Sequence, residues 1–127
     1  MPRTAIHSDQ APAAIGPYSQ ATRTGNLVFL SGQTPLDPAT GNLVEGDITA
    51  QARQAFANLR EVCQAAGGSL DDIVRVGLYL TDLSQFGEVN AVMAEYFSQP
   101  YPARSTIEVS ALPRGARFEV DAVMALA

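Results

Sequence analysis

The chain has 127 residues, the usual length of a single domain, and its 46% apolar and 17% charged residues are proportions typical of a globular protein. Its formal net charge of −5 disfavours nucleic acid as a partner, because binding to phosphates depends on clustered cations. All eight basic residues are arginines, so the chain lacks the lysine that Schiff-base and pyridoxal-phosphate chemistry requires.

Cysteine and histidine each occur once, as Cys63 and His7. A lone cysteine cannot form an intrachain disulfide, and no cluster of residues has the spacing of a zinc site. We therefore expect no metal and no cofactor. The chain has no apolar targeting segment at its start and no run of about 18 apolar residues, so we expect no membrane partner and a cytoplasmic location.

Short strands and turns are predicted for the first third of the chain. Residues 4–7 form a candidate first strand, and the prolines and glycine of residues 12–17 mark a loop. Gly25 and Asn26 tolerate the positive φ of a tight turn, so residues 19–23 and 27–33 are predicted to form a hairpin around them. Residues 34–46 contain further prolines and glycines and are predicted to be a loop.

A stripe of apolar residues at three- to four-residue spacing predicts a helix of about five turns. Asp47 or Thr49 can cap its start, and Gly67-Gly68 can end it. The stripe comprises Ala52, Ala55, Phe56, Leu59, Val62, Cys63 and Ala66. Since Cys63 lies on this stripe, we interpret it as a core residue and not as a nucleophile.

A strand at residues 73–80 and a second helix follow, and Asp82 or Ser84 can cap the helix. Pro100 and Pro102 end it. Its predicted inner face carries Phe86, Val89, Met93 and Phe97. Asn90 falls on the same apolar side, where a buried amide needs partners. Those partners are either the nearby backbone or a ligand, and the spacing does not decide between them.

Two strands, at residues 104–110 and 118–126, complete the chain around a turn at residues 113–115. Helices this few can cover only one face of the sheet, so the predicted class is α/β with two helices packed on one face of a six-stranded sheet. In the last strand, period-two alternation places two sets of residues on opposite faces. One set is apolar and comprises Phe118, Val120, Ala122, Met124 and Leu126. The other set mixes charged and apolar residues and comprises Glu119, Asp121, Val123 and Ala125. That mixture fits a subunit interface that holds a polar site.

Arg104 and Glu119 are the residues with the clearest chemical potential. Arg104 opens a strand and shares one face with Thr106 and Glu108, and the planar fork of an arginine suits a carboxylate. The alternative is a solvated arginine, or one paired with Glu108 or Glu119. A partly buried Glu119 can hold or activate a water, although an ordinary exposed glutamate is the alternative.

Ser31-Gly32 and Tyr18 are weaker candidates. The glycine lets a ligand or another backbone approach closely, unless the pair is only a strand exit. Tyr18 follows Gly16-Pro17 in a loop, where an aromatic side chain can cover a pocket or simply fill a gap.

Several segments along the chain form a set of motifs. They lie at residues 11–20, 31–35, 51–54 and 89–90. The most distinctive is Pro102-Ala103-Arg104-Ser105-Thr106-Ile107-Glu108-Val109, followed by Leu112-Pro113 and Glu119. In this order the segments resemble motifs of the RidA/YjgF family of reactive-intermediate deaminases, and the resemblance runs from about residue 11 to residue 126.

The resemblance implies a single domain over residues 1–127 with a chorismate-mutase-like fold and a mixed sheet. It also implies a homotrimer with clefts between subunits and an enzyme that binds small carboxylate substrates. The expected reaction hydrolyses enamine and imine intermediates, such as 2-aminoacrylate and 2-iminobutanoate, to 2-oxo acids and ammonia. Pyridoxal enzymes that eliminate from serine or threonine supply such intermediates.

The family's roles carry over position by position. Arg104 is expected to clamp the substrate carboxylate, and Glu119 to position and activate the hydrolytic water. Ser31-Gly32 and Thr106 are expected to border the imine, while Tyr18 and Asn90 line or brace the cleft. Thr106 departs from the pattern, since many active members carry cysteine there; threonine still donates and accepts a hydrogen bond.

Two other functions remain open. One is a ribonuclease, an activity attached to relatives that resemble the perchloric-acid-soluble protein, although the acidic charge and the single histidine argue against it. The other is a non-catalytic module that binds small oxo acids or a partner protein, and the threonine at position 106 keeps this hypothesis open. Binding without turnover would distinguish the module from the enzyme.

Overall fold

A single sheet organises the chain in the computed structural model, which describes residues 2–127. In chain order the strands and α-helices are β1 (Thr4–Ile6), β2 (Ala21–Thr24), β3 (Leu27–Gln33), α1 (Ile48–Ala65), β4 (Ile73–Leu80), α2 (Phe86–Tyr96), β5 (Ala103–Glu108) and β6 (Phe118–Ala125). Short 3₁₀ turns lie at Leu70–Asp72, Leu83–Gln85 and Pro113–Gly115.

The strand order across the six-stranded sheet is β1-β2-β3-β6-β4-β5. The pair β4–β5 is parallel, and the other neighbouring pairs are antiparallel. The last strand of the chain thus lies in the middle of the sheet, between β3 and β4. Because α1 and α2 pack against each other and α1 packs on β6, both helices cover the same face. The predicted fold class, an α/β fold with a mixed sheet and two helices on one face, is confirmed.

The core lies between α1 and the helix-covered face of β6. Along β6 the residues facing the helices are buried, namely Phe118, Val120, Ala122 and Met124. The alternate residues, which face the open side, are half-buried: Glu119, Asp121, Val123 and Ala125. From α1, Phe56, Leu59 and Cys63 are fully buried against this layer. Both the alternation and the stripe follow the sequence prediction.

The helix boundaries agree with the sequence prediction for α1 and differ for α2. The Asp47 side chain caps α1 by accepting a hydrogen bond from the Ala50 amide at 3.0 Å. Asp82, in contrast, caps the 3₁₀ turn at Leu83–Gln85 through the Ser84 amide, and α2 begins at Phe86 without a side-chain cap. Strand β2 starts two residues later than predicted, at Ala21, and β5 ends two residues earlier, at Glu108.

The prediction that Asn90 lies on the apolar side of its helix is wrong. The buried face of α2 consists of Val89, Val92 and Met93. Asn90 is about 100° further around the helix than Val89, and this rotation exposes it. Phe86, one turn earlier on the same flank, is only half-buried. This flank points toward β5 and not into the core.

The open face of the sheet carries exposed apolar side chains. Phe29 on β3 and Ile107 on β5 are 47% and 48% exposed. Phe29 is paired with Val123, and Ile107 with Tyr79, so both belong to the face that the helices leave uncovered. Within residues 2–127, no helix has the length and apolar character needed to cross a membrane.

Candidate active site

Arg104 and Glu119 lie on opposite faces of the sheet. Arg104 is in register with Val76 in the parallel pair β4–β5, so it projects to the same side as that buried residue, toward the helices. Glu119 is in register with Tyr79, which alternates with the buried Leu78 and Leu80 and therefore faces the open side. One copy of the chain does not bring the two side chains together.

The guanidinium of Arg104 is held by three residues of α2. Its Nη1 donates to Asn90 Oδ1 at 2.7 Å and lies 3.7 Å from Met93 Sδ. Its central carbon lies 5.0 Å from the centroid of the Phe86 ring, which is a cation–π contact. Among residues 2–127 no carboxylate pairs with Arg104, since the ion pairs are His7–Asp9, Arg53–Glu95 and Arg60–Glu61. Neither alternative carboxylate partner, Glu108 or Glu119, is used.

A cavity of about 370 Å³ lies beside this guanidinium, and we call it the Arg104 pocket. It is lined by Asn90, Met93, Ala94, Tyr101, Pro102 and Arg104. The half-buried Thr106 projects to the same side of β5 as Arg104, because it is in register with Leu78, but it does not line this pocket.

A larger cleft of about 780 Å³, the Glu119 cleft, gathers four of the predicted site residues. Tyr18, Ser31, Gly32 and Glu119 line it together. The rest of its wall comes from the loop before β2, the loop after β3 and the turn before β6: Pro12, Ala13, Ile15, Thr34, Leu36, Pro38, Ala39, Thr40, Gly41, Pro113 and Arg114. Six of the seven predicted residues are thus divided between two sites, with Arg104 and Asn90 at one and four others at the second, while Thr106 lines neither.

Hydrogen bonds from Gln20 and Ser31 fix the loop that carries Tyr18. The buried Gln20 side chain accepts from the Ser8 amide at 2.6 Å and donates to the Pro12 carbonyl at 2.8 Å. Ser31 Oγ donates to the Ser19 carbonyl at 2.6 Å. These bonds hold the loop against the start of β2 and the end of β3. The Ser31 hydroxyl is thereby used structurally, as is the Ser31 amide, which donates to the Gln20 carbonyl at 2.9 Å.

Gly32 is required by the position of the Glu119 carboxylate. A Cβ at residue 32 would collide with Glu119 Oε2, so any side chain there would displace the carboxylate.

The electrostatic surroundings of Glu119 favour its protonated form. Burial, and to a lesser extent the neighbouring Asp121 carboxylate, raise the pKa of Glu119 above its ordinary value. A carboxylate with a raised pKa binds a proton more strongly and is therefore a better general base.

The sequence did not reveal several residues at the two sites. The sequence pattern predicted that Phe86 and Met93 are core residues, yet both contact Arg104. Arg114 lies in a turn with φ of 60°, and its Nη1 donates to the Gly41 carbonyl at 3.0 Å, which joins two walls of the Glu119 cleft. Turn chemistry predicted the bend at residue 114, but no local signal predicts a contact with a loop more than 70 residues earlier in the chain.

The two residues excluded as nucleophile or metal ligand lie away from both sites. Cys63 is fully buried, and burial raises the pKa of its thiol to about 12, so its nucleophilic thiolate is scarce at neutral pH. His7 is exposed and pairs with Asp9 at 2.7 Å. No group of three or more His, Cys, Asp or Glu side chains within residues 2–127 could hold a metal ion.

Comparison with known proteins places this chain and its fold in a defined family. Residues 8–126 match the family described as Endoribonuclease L-PSP. Protein DfrA of Myxococcus xanthus is 54% identical over 97% of this chain and 95% of its own length. The 2-iminobutanoate/2-iminopropanoate deaminase of Mus musculus is 44% identical over 95% of this chain and 90% of its own length.

Solved structures agree with the sequence matches. The crystal structure of RidA from the Antarctic bacterium Psychrobacter sp. PAMC 21119 is 47% identical, covers 97% of this chain and 99% of that chain, and superposes with a TM-score of 0.93. The chain belongs to the RidA/YjgF family, as its motifs indicated.

Proposed function

We propose that the chain is a deaminase that hydrolyses enamine and imine intermediates, such as 2-aminoacrylate and 2-iminobutanoate, to 2-oxo acids and ammonia. The observation that carries the proposal is the Arg104 guanidinium, which α2 holds in place and which has no carboxylate partner among residues 2–127. A 2-imino acid supplies that carboxylate, and charge-assisted hydrogen bonds to arginine orient it. The deaminase name of the mouse relative supports this substrate class.

The reaction needs only orientation and proton transfer, because an imine carbon is already electrophilic. 2-Aminoacrylate first gains a proton at its methylene carbon and becomes 2-iminopropanoate. The oxygen of a water then attacks the imine carbon while Glu119 takes a proton from that water. Glu119 passes this proton to the nitrogen, the C–N bond breaks and ammonia leaves, while Glu119 takes the remaining hydroxyl proton as the C=O bond forms. The raised pKa of Glu119 suits it to accept and return this proton.

We infer that the working site is composite, with Arg104 of one copy facing Glu119 of a neighbouring copy. The two side chains of one chain lie on opposite faces, and β4 separates their strands, so they are about 10 Å apart across the sheet before the difference in faces is counted. A substrate with so few atoms cannot span this separation. The exposed Phe29 and Ile107 on the open face favour cover by another copy. The number of copies, three, comes from the family resemblance.

In this arrangement the remaining residues surround the imine. The backbone of Ser31-Gly32 and the hydroxyl of Thr106 border the reacting carbon. Tyr18 covers the Glu119 cleft, and Asn90 braces Arg104 at 2.7 Å.

A coupled assay tests the proposal. A pyridoxal enzyme generates 2-aminoacrylate from serine, and pyruvate release is followed with and without the chain. We expect the chain to accelerate release, Arg104→Ala to abolish the acceleration, and Arg60→Ala, which alters an exposed arginine on α1, to retain it. Substrate-analogue binding without acceleration would instead favour the non-catalytic module.

The family description includes the word endoribonuclease, but the chain's own residues do not favour cleavage of RNA. The net charge is −5, and His7 lines neither the Arg104 pocket nor the Glu119 cleft. Cleavage that disappears on further purification and is unaffected by Arg104→Ala would mark a contaminant.

A further inference from the structure

A second carboxylate, Asp121, accompanies Glu119 on the open face of the sheet. The two residues are two positions apart on β6, so they face the same side about 6–7 Å apart along the strand. Their carboxylates lean in opposite directions. That of Glu119 lies over Gly32 of β3, and that of Asp121 lies over Gly77 of β4, since a Cβ on either glycine would collide with the carboxylate above it.

Tyr79 fixes Asp121 in this position. The Tyr79 hydroxyl donates to Asp121 Oδ2 at 3.0 Å, although Tyr79 itself stands directly opposite Glu119 in the strand register. Burial and this hydrogen bond raise the pKa of Tyr79, so its hydroxyl keeps the proton that it donates. Gly77 thus leaves space for the Asp121 carboxylate, and the hydrogen bond from Tyr79 holds the carboxylate there.

We propose that Asp121 is a positioning residue for Glu119: anchored by Tyr79 in the niche above Gly77, it holds a fixed negative charge beside Glu119 and sets the pH range in which Glu119 accepts a proton from water. The proposal deepens the proposed deaminase function and rests on it for the role of Glu119.

Among residues 2–127 of one copy, no other group around Glu119 supplies a comparable negative charge. Within one copy of the chain, the titratable and charged groups that face Glu119 are Asp121 on its own strand, Tyr79 and Arg75 on β4, and Tyr18 and Arg114 in the cleft. In the proposed assembly, the positive charge of Arg104 from a neighbouring copy faces it as well. Arg75 is directed to Ser105 Oγ at 3.2 Å, and Arg114 to the Gly41 carbonyl. Asp121 is thus the neighbouring group that opposes ionisation of Glu119, in addition to burial.

Removal of this charge has a defined consequence. Asp121→Asn keeps the shape of the side chain and its acceptor for Tyr79 but removes the repulsion, so the Glu119 carboxylate ionises at lower pH. The acidic limb of the pH–kcat profile should move to lower pH. The plateau should fall, because a weaker base takes the proton from water less readily. A purely structural role would lower activity equally at every pH and leave the limb in place.

The experiment compares pH–kcat profiles of the wild type, Asp121→Asn and Asp121→Glu. The glutamate variant keeps the charge and should keep the wild-type limb. Asp71→Asn removes an exposed carboxylate just before β4, at the end of the strand pair where Ile73 pairs with Met124 and away from Glu119, so it is the matched control and should leave the profile unchanged. If Asp121→Asn does not fold, Asp121→Ser removes the same charge with a smaller side chain.

A titration of the Glu119 carboxyl carbon by NMR separates this proposal from the proposed function. We expect a lower midpoint in Asp121→Asn than in the wild type. If the titration midpoint of Glu119 does not move, the role of Asp121 is overturned even if the chain is a deaminase. The same holds if the acidic limb of the pH–kcat profile stays in place while activity falls. A lowered midpoint in a chain that does not accelerate pyruvate release supports the arrangement and overturns only the deaminase.

Discussion

Arg104 combines an exposed position with a fixed guanidinium. Its contacts with Asn90 and Met93 both use Nη1, and the Phe86 ring lies against the guanidinium. Within residues 2–127, no hydrogen bond engages Nε or Nη2, so this edge of the planar group remains for a ligand. Two parallel hydrogen bonds from one edge are the geometry in which arginine binds a carboxylate.

Arg104→Lys tests whether this edge of the guanidinium binds the substrate carboxylate. Lysine keeps the charge but loses the fork and the flat surface against Phe86, and a charged hydrogen bond contributes about 1.5–3 kcal/mol, so kcat/KM should fall by roughly ten- to 150-fold. The fold should survive, since the site is exposed. The circular dichroism melt and the kinetics of Arg60→Lys, on the exposed side of α1, are the controls. Near-normal kcat/KM in a folded Arg104→Lys variant would contradict the assignment.

Substitutions at Thr106 can show whether this residue serves only to form the strand or also takes part in the reaction. It is half-buried on β5, on the same side as Arg104, and any β-branched residue would satisfy the strand. Thr106→Val removes the hydroxyl at nearly constant volume, so a donor or water that depends on it would lose its partner, at a cost of about 1–3 kcal/mol. We expect several-fold or greater loss of turnover on 2-iminobutanoate for Val and no loss for Thr106→Cys. Equal activity for all three residues would remove Thr106 from the site.

At the scale of elements, periodicity predicted which segments form helices and strands but not which way β5 faces. The stripe on α1 and the alternation on β6 each have one buried side, so their orientation could be read directly. Edge strand β5 has two sides of similar exposure. Because Ile107 is apolar, the sequence pattern suggested that the side opposite Arg104 is the buried one, but Ile107 is 48% exposed. The separation of Arg104 from Glu119 followed from that strand's register and could not be predicted from its sequence.

The contact between α2 and β5 gives a prediction of its own. Asn90 offers Arg104 a neutral acceptor at 2.7 Å. Asn90→Asp would convert this contact to an ion pair that competes with the substrate carboxylate, so KM should rise about tenfold or more. Asn90→Ala only loosens the arginine and should raise KM less. Ala91→Asp places the same charge at the next, exposed position of α2 and serves as the control. Equal KM values for the two Asn90 variants would show that the charge is irrelevant.

At the scale of the molecule, the sheet order is what the sequence could least predict. The last strand inserts between β3 and β4, and no local pattern records that pairing. The consequence is functional, because the order places Glu119 in the centre of an open face and Arg104 near an edge on the other face. The family resemblance implied a site between subunits, and the opposite faces give a physical reason for one.

Subunit complementation tests the composite site without a structure of the assembly. Arg104→Ala and Glu119→Gln should each be inactive alone, and Glu119→Gln keeps the shape while it loses the ability to take a proton. When equal amounts are unfolded and refolded together, a site is intact only if its arginine comes from the Glu119→Gln chain and its glutamate from the Arg104→Ala chain. If the chains assemble at random into a cyclic oligomer, about one quarter of the sites contain both native residues.

The mixture should therefore regain about one quarter of wild-type activity, whereas each variant refolded with itself should regain none. Mixing without unfolding should restore activity only as fast as subunits exchange. If both residues act within one chain, each chain of the mixture still lacks one of them, and no activity returns. Light scattering on the refolded mixture checks the size of the assembly, and a monomer would contradict both the trimer and the shared site.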